Sequence, residues 1–271
     1  FSGVKYFYFA GGIIWLNDYL ELHDILYIAS NRTALHNEHD KSIAKKIIQK
    51  ANIRTADFFT TEPGEHQNEM SIPIAFPLFI KPLTGGDSRG VDANSIVYDF
   101  LSFQAKILDI KRKHNLSSLV ETYLSGKEYS VSILQDHSNG NLEAMPVEIV
   151  VKKNISGHRI LDYDIKENDH EKVIEVSDSK IFNQLSDLSK NAFTALDGKS
   201  LGRIDIKMDH RGVPHFIEAN LMPGLREGYF YRSCLLNLNM SYEQMIFTVA
   251  DNGLSSRRIH FSIANAGLSS H

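Results

Sequence analysis

Cysteine is almost missing from this chain of 271 residues: Cys234 is the single one. No internal disulfide can form, and nothing points to an oxidising compartment. Long apolar runs are missing as well. The longest, residues 72–80, is broken by Pro73 and Pro77, which leaves no transmembrane helix to be read. The first residues lack the charged start and cleavage pattern of a secretory signal, so a cytoplasmic setting is expected. Because residue 1 is Phe rather than Met, the chain is also expected to lack part of its natural N-terminus. An excess of positive charge is absent too: 29 Lys and Arg stand against 33 Asp and Glu, for a net charge of -4. That balance argues against nonspecific nucleic-acid binding, which needs a basic footprint. Neither GxxxxGKS/T nor GxGxxG occurs, so the chain has no Walker loop and no Rossmann fingerprint. Internal repeats and low-complexity segments are likewise missing.

What is present is ordinary for a globular chain, with 42% hydrophobic and 23% charged residues. The length suits one large domain or two smaller ones. The stretch richest in chemistry runs from Gly202 to Gly224, GRIDIKMDHRGVPHFIEANLMPG. Two period-two runs flank His210-Arg211-Gly212-Val213 and predict a hairpin. In a uniform register centred between Arg211 and Gly212, Asp205 faces Glu218 and Arg203 faces Asn220, all on one side. Directly opposed carboxylates repel unless something compensates, and a hard divalent cation would do so. Asp, Glu and Asn oxygens are the ligands that Mg2+ accepts, commonly beside substrate phosphates. The other reading is a solvated hairpin face with scattered charges.

The remainder alternates between recognisable elements and loops. Residues 1–40 carry aromatic and apolar runs, FSGVKYFYFAGGIIWL and DILYIAS, expected to be fragments of a sheet layer. Ile43, Ala44, Ile47, Ile48 and Ala51 predict a helix with Asp40 as its N-cap and Lys41 in the first turn, where the helix dipole does not favour a cation. FPLFIKP reads as a short buried strand ending on Lys81. It is followed by the glycine-rich LTGGDSRGV, whose backbone could close over phosphate oxygens or could simply make a tight turn. A helix over residues 99–114 shows Phe100, Phe103, Ile107 and Ile110 on one stripe. LVETYLSGKEYSVSIL reads as two strands around Ser125-Gly126, with Glu121 and Glu128 bracketing the turn. A hairpin through Ser138-Asn139-Gly140 comes next, and residues 152–172 read as a surface loop or flap. A helix is expected from Ser177 to about Leu196, and a last one from Ser241, where Ser241 and Gln244 can form a capping box.

Five of these segments together resemble the ATP-grasp carboxylate-amine ligases, most of all the D-alanine-D-alanine ligases, from about residue 19 to residue 250. YIAS...HDKSIAKKII is similar to the entry into the ATP-grasp region and FPLFIKPLTGGDSRGV to the phosphate lid. LVETYLSGKEYSVSIL resembles the adenosine hinge, ILDYDIKE the mobile loop, and GRIDIKMD...FIEANLMPGL the metal hairpin. The resemblance implies an α/β (α+β) chain with the ATP-grasp fold, two α+β subdomains clasping a nucleotide, and a shortened N-terminal domain. The implied division is residues 1–40 as a remnant of that N-terminal domain, 41–124 as the subdomain with the glycine-rich lid, and 125–271 as the C-terminal subdomain with the metal site. It also implies roles. Lys41 and Lys81 would contact the nucleotide phosphates, with Ser88 in the lid beside them. Glu121 and the Tyr123-Leu124 backbone would meet the adenine and Glu128 the ribose. Lys166 would approach the gamma-phosphate, and Asp205, Glu218 and Asn220 would hold two Mg2+ ions, or Mn2+ in their place. Arg203 would stabilise the oxyanion of the tetrahedral intermediate, with the Gly224 backbone helping there or at the second substrate's carboxylate.

This chain departs from the family pattern at the substrate positions. Asp87 then Ser88 stand where a serine pair is expected, Glu167 replaces the tyrosine after the loop lysine, and Tyr229 falls where a serine would bind the second substrate's carboxylate. Arg89, Arg226 and Arg232 are candidates to pair with a substrate carboxylate. The expected activity is ATP-dependent joining of a carboxylate to an amine through an acylphosphate, on a changed substrate pair of amino acids or small carboxylates. The alternative is a nucleotide-binding ATP-grasp protein without ligase chemistry. Neither nucleic acid nor membrane is expected as a partner, and a homodimer is left open.

Overall fold

In the computed structural model of the chain, residues 6–9, 12–25, 27–86, 88–136, 138–151 and 171–252 are described. Asp87, the expected mobile loop with Lys166 and Glu167, and the tail from Ser255 lie outside these residues. Strands β1 (Tyr6–Phe9) and β2 (Gly12–Trp15) form a small hairpin, followed by helices α1 (Leu16–Leu22), α2 (Arg32–His39) and α3 (Lys41–Lys50). The second apolar run, DILYIAS, forms no strand in its described residues. Helix α3 begins where capping chemistry says it should: the Asp40 carboxylate accepts from the backbone N-H groups of Ser42 and Ile43.

A four-stranded antiparallel sheet follows, in the order β3 (Phe58–Thr61), β6 (Ser118–Thr122), β4 (Leu78–Pro82), β5 (Ile96–Val97). Helix α4 (Phe100–His114), capped by Asp99, lays Phe103, Ile107 and Ile110 on Leu78, Ile80 and Val120 of this sheet. The larger sheet has the order β11 (Pro214–Asn220), β10 (Leu201–Met208), β7 (Glu128–Gln135), β8 (Leu142–Val150), β9 (Lys172–Glu175), again antiparallel throughout. Its first face takes Tyr129, Val131, Ile133, Ile204 and Ile206, packed against α2, α3 and α5 (Ser179–Ala195). On the second face, Leu134, Met145 and Leu201 meet Phe230 and Cys234 of α6 (Tyr229–Leu238) and Met245 of the helical residues 242–252. The last helix is capped as expected, by reciprocal bonds between Ser241 and Gln244. Among the described residues no helix is long and apolar enough to cross a membrane.

LVETYLSGKEYSVSIL forms the two expected strands, β6 in the smaller sheet and β7 in the larger. The Ser125-Gly126 turn signal marks a crossing between sheets, because local turn chemistry does not say which sheet the next strand joins. The crossing is fixed at both ends, by Tyr123 N-H donating to Pro77 O at 3.1 Å and Gly126 N-H to Met208 O at 2.9 Å. The Gly202–Gly224 hairpin does form, and it places Arg203 opposite Asn220 and Asp205 opposite Glu218. Its register is not uniform, however. A bulge after Asp205 pairs Ile206 with Phe216 and Lys207 with His215. A uniform register would oppose Phe216 to Lys207; the bulge instead sends Phe216 to the core face with Ile206, while Glu218 keeps the face of Asp205. One extra residue thus lets the i, i+2 pair Phe216 and Glu218 serve different sides.

The crossing tolerates no side chain at Gly126, since an added Cβ would lie 2.6 Å from the backbone oxygens of both Met208 and Asp209. Gly126→Ala is therefore expected to lower stability by about 1–3 kcal/mol in urea unfolding, and wild-type stability would show that the crossing is not close-packed.

Candidate active site

The two sheets and the crossing enclose a cleft lined by Lys41, Lys81, Ser88, Glu121, Tyr123, Leu124 and Glu128 from one set of expectations, and by Asp205 and Glu218 from the other. These residues come from α3, β4, the glycine-rich loop, β6, the crossing, β7, β10 and β11. Lys41 opens α3, whose start is stitched to the glycine-rich loop: Lys41 N-H donates to Leu83 O at 3.2 Å, and its ammonium donates to Gly85 O at 2.5 Å. Burial lowers the pKa of Lys41, with Glu218 opposing. In the loop itself Gly85 and Gly90 have φ of 95° and 78°, the left-handed region that glycine adopts without strain.

Lys81 and Glu121 lie on one face of the smaller sheet, with Lys81 Nζ 2.9 Å from Glu121 Oε2. The other oxygen, Oε1, is 2.6 Å from Lys45 Nζ, and the Lys45 side chain is fully buried. Burial acts against every charge in this trio. It pulls Lys45 below the ordinary lysine value, with Glu121 opposing. For Lys81 burial is outweighed by Glu121, Glu218 and Glu128, so its pKa is raised. For Glu121 burial is outweighed by Lys45 and Lys81, and its pKa is lowered. With all three ionised the trio has one surplus positive charge facing the cleft, which suits an anionic ligand. Sequence reasoning missed Lys45, although Lys41, Lys45 and Ile48 fall at i, i+4, i+7 on one helix face.

The second face of the larger sheet presents charge in cross-strand rungs. Lys207 pairs with Glu128 at 2.8 Å, a contact set by the β10–β7 register and missed from sequence because it joins residues 79 positions apart. One rung on, Asp205 accepts from Ser130 Oγ at 2.8 Å and from Arg203 through Nε at 3.0 Å and Nη2 at 2.9 Å. Burial disfavours the Arg203 charge, but Asp205 and Glu218 outweigh it and raise the pKa. Here Arg203 supplies part of the compensation that opposed carboxylates require. Asn220 stands across from Arg203, and its Oδ1 accepts from Met222 N-H at 3.2 Å. Among the described residues no cluster of three or more His, Cys, Asp or Glu side chains is placed to hold a metal. The hairpin offers two carboxylates and one amide. Such hard-oxygen donors fit Mg2+ only with phosphate oxygens and water completing the shell.

Of the expected substrate residues, Tyr229 reaches this centre. Its ring lies 5.4 Å from the Arg203 guanidinium carbon and its hydroxyl donates to Glu171 Oε1 at 2.5 Å. Burial and that bond raise the Tyr229 pKa. Arg89 lines the cleft, whereas Gly224 and Arg226 do not and are exposed. Arg232 sits one turn beyond Tyr229 on α6.

Two sheets clasping a cleft, a lysine and glycine loop on one side and an acidic hairpin on the other, define the ATP-grasp fold of ATP-dependent C–N ligases. The similarity is direct: a solved D-alanine–D-alanine ligase from Bacillus anthracis in complex with ATP superposes with a TM-score of 0.70 at 22% identity, over 90% of this chain and 76% of that one. The VanG D-Ala:D-Ser ligase from Enterococcus faecalis gives 0.72 at 20% identity, over 88% of this chain and 68% of its own. A sequence profile described as D-ala D-ala ligase C-terminus matches residues 47–251, and the chain belongs to that family. Among relatives, the D-alanine–D-alanine ligase A of Mesorhizobium japonicum is 24% identical over 246 residues, 89% of this chain and 67% of that protein. The ligase of Aquifex aeolicus is 28% identical over 231 residues, 84% of this chain and 73% of its own.

The Tyr229 hydroxyl is the one hydrogen-bond partner seen for the buried Glu171 carboxylate among the described residues, since Oε2 has none. Tyr229→Phe should therefore cost about 1–3 kcal/mol in urea unfolding. An unchanged midpoint would mean that Glu171 draws no support from the phenol.

Proposed function

We propose that this chain is an ATP-dependent carboxylate-amine ligase whose substrate pair differs from two D-alanines. The observation that carries the reading is the convergence of Lys41, Lys81, Glu121, Glu128, Asp205 and Glu218 on one cleft, from helix α3 and from both sheets. The nucleotide lies between the glycine-loop subdomain, residues 41–124, and the hairpin subdomain from residue 125 onward. Adenine sits against the Tyr123-Leu124 backbone, Glu128 takes the ribose, and Lys41, Lys81 and the lid with Ser88 face the phosphates. Asp205, Glu218 and Asn220 hold Mg2+, which neutralises charge on the phosphate chain when it is bound.

The reaction has two steps. A substrate carboxylate oxygen attacks the gamma-phosphorus of ATP, giving an acylphosphate and ADP. An amine then attacks the acyl carbon, the C–N bond forms, inorganic phosphate leaves and the amine loses a proton. Arg203 stabilises the oxyanion of the second step in this reading, supported by the hold of Asp205 and the Tyr229 ring on its guanidinium. Lys166 and Asp87 are proposed at the gamma-phosphate and the first substrate. The changed pair rests on Tyr229, whose hydroxyl is engaged with the Glu171 carboxylate rather than presented to a substrate carboxylate. Arg226 and the Gly224 backbone are proposed at the second substrate, with amino acids and small carboxylates as the class.

Incubation with Mg2+, ATP and a panel of D- and L-amino acids and small acids is expected to release phosphate for at least one pair. Arg203→Ala should lower that turnover about 100-fold or more while ADP still binds. Nucleotide binding without phosphate release for any pair would overturn the ligase reading in favour of a nucleotide-binding protein.

A further inference from the structure

Helix α3 places Ala44 and Ile48 in the core of the larger sheet, but the ammonium of Lys45 between them does not join that core. It donates to Thr55 Oγ1, whose hydroxyl donates in turn to Phe216 O on β11 at 2.8 Å. It also lies 2.6 Å from Glu121 Oε1 on β6 and 5.2 Å from the Phe58 ring centroid on β3. One fully buried cation is thus tied to both sheets. The second oxygen of Glu121 holds Lys81, which lines the cleft. With a lysine on each oxygen the carboxylate plane is fixed, and so is the ammonium that it steers.

Stability alone does not account for this arrangement. Buried ion pairs are frequently no more stabilising than well-packed apolar residues of the same volume, because desolvation offsets the Coulomb gain. A salt bridge that is retained away from solvent, and that ends on a cleft lysine, points to placement of that lysine. We infer that Lys45 is a positioning residue that acts through Glu121 to aim Lys81 at the phosphates of the bound nucleotide, while bracing the smaller sheet against β11. The inference rests on the nucleotide reading of the cleft and adds to it a residue that touches no ligand.

The test is a double-mutant cycle read by calorimetry with ADP and Mg2+, on the full chain at a temperature where each variant is folded. Lys45→Met is expected to weaken ADP binding by about 10- to 100-fold, the scale on which a misplaced contact group is felt. In a Lys81→Met background the same change should alter affinity by less than about twofold, since the residue it steers is gone. Wild-type affinity in Lys45→Met, with only a lower melting temperature, would overturn the inference, and so would losses that simply multiply. If Lys45→Met does not fold, Thr55→Val removes the hydroxyl that anchors the ammonium and keeps the ion pair. It should still weaken ADP binding measurably, and unchanged affinity would again overturn the inference. Failure of the wild-type chain to bind ADP is a different result: it overturns the nucleotide reading, and this inference with it.

Discussion

A slip of one residue between β10 and its neighbours would turn Arg203, Asp205 and Lys207 to the opposite face of the sheet, because side chains along a strand alternate. Everything at this centre depends on that register. It is held from behind by Ile204 and Ile206, which are fully buried against α3 and α5 and could not be turned outward without exposing apolar surface. On the face so defined, the Lys207–Glu128, Asp205–Ser130 and Arg203–Asn220 rungs follow one another. The bulge in β11 then reconciles two demands that a regular strand could not meet together, Phe216 in the core and Glu218 opposite Asp205.

The second sheet meets this face through a small number of polar ties rather than through a shared apolar core. Its own cluster around Phe103 and Ile107 is separate from the cluster around Tyr129 and Phe216. The ties are the Tyr123–Lys127 crossing, the stitching of the Lys41 ammonium to Gly85, and the buried Lys45–Glu121 pair. Two sheets with their own cores and a polar seam can hold an anionic ligand between them, since the seam is where unneutralised positive charge is tolerated.

Much of this was legible in the sequence, for reasons that differ by element. Helices α3, α4 and α5 announced themselves by apolar stripes, α3 also by its Asp40 cap, and the hairpin by its alternation around Arg211-Gly212. The cleft residues Lys41, Lys81, Glu121, Glu128, Asp205 and Glu218 followed from five segments in a familiar order. What stayed hidden is non-local. That β6 and β7 enter different sheets is decided by what each strand pairs with, and the Ser125-Gly126 turn is silent on it. The bulge depends on packing of Phe216, Lys207 on a partner in β7, and the burial of Lys45 on Thr55, Phe58 and Glu121, which lie outside its helix. Helix α6 was hidden as well, because Tyr229–Leu238 is apolar on nearly every side and shows little periodicity.

The central claim is that one nucleotide-metal complex occupies the cleft between the sheets. The most direct measurement is a crystal structure of the chain with ADP and Mg2+. The account predicts adenine density against Tyr123 and Leu124, the diphosphate between Lys41 and Lys81, and metal density on Asp205, Glu218 and Asn220. ADP bound elsewhere, or a metal ligated by other residues with Arg203 still closing both oxygens of Asp205, would contradict it.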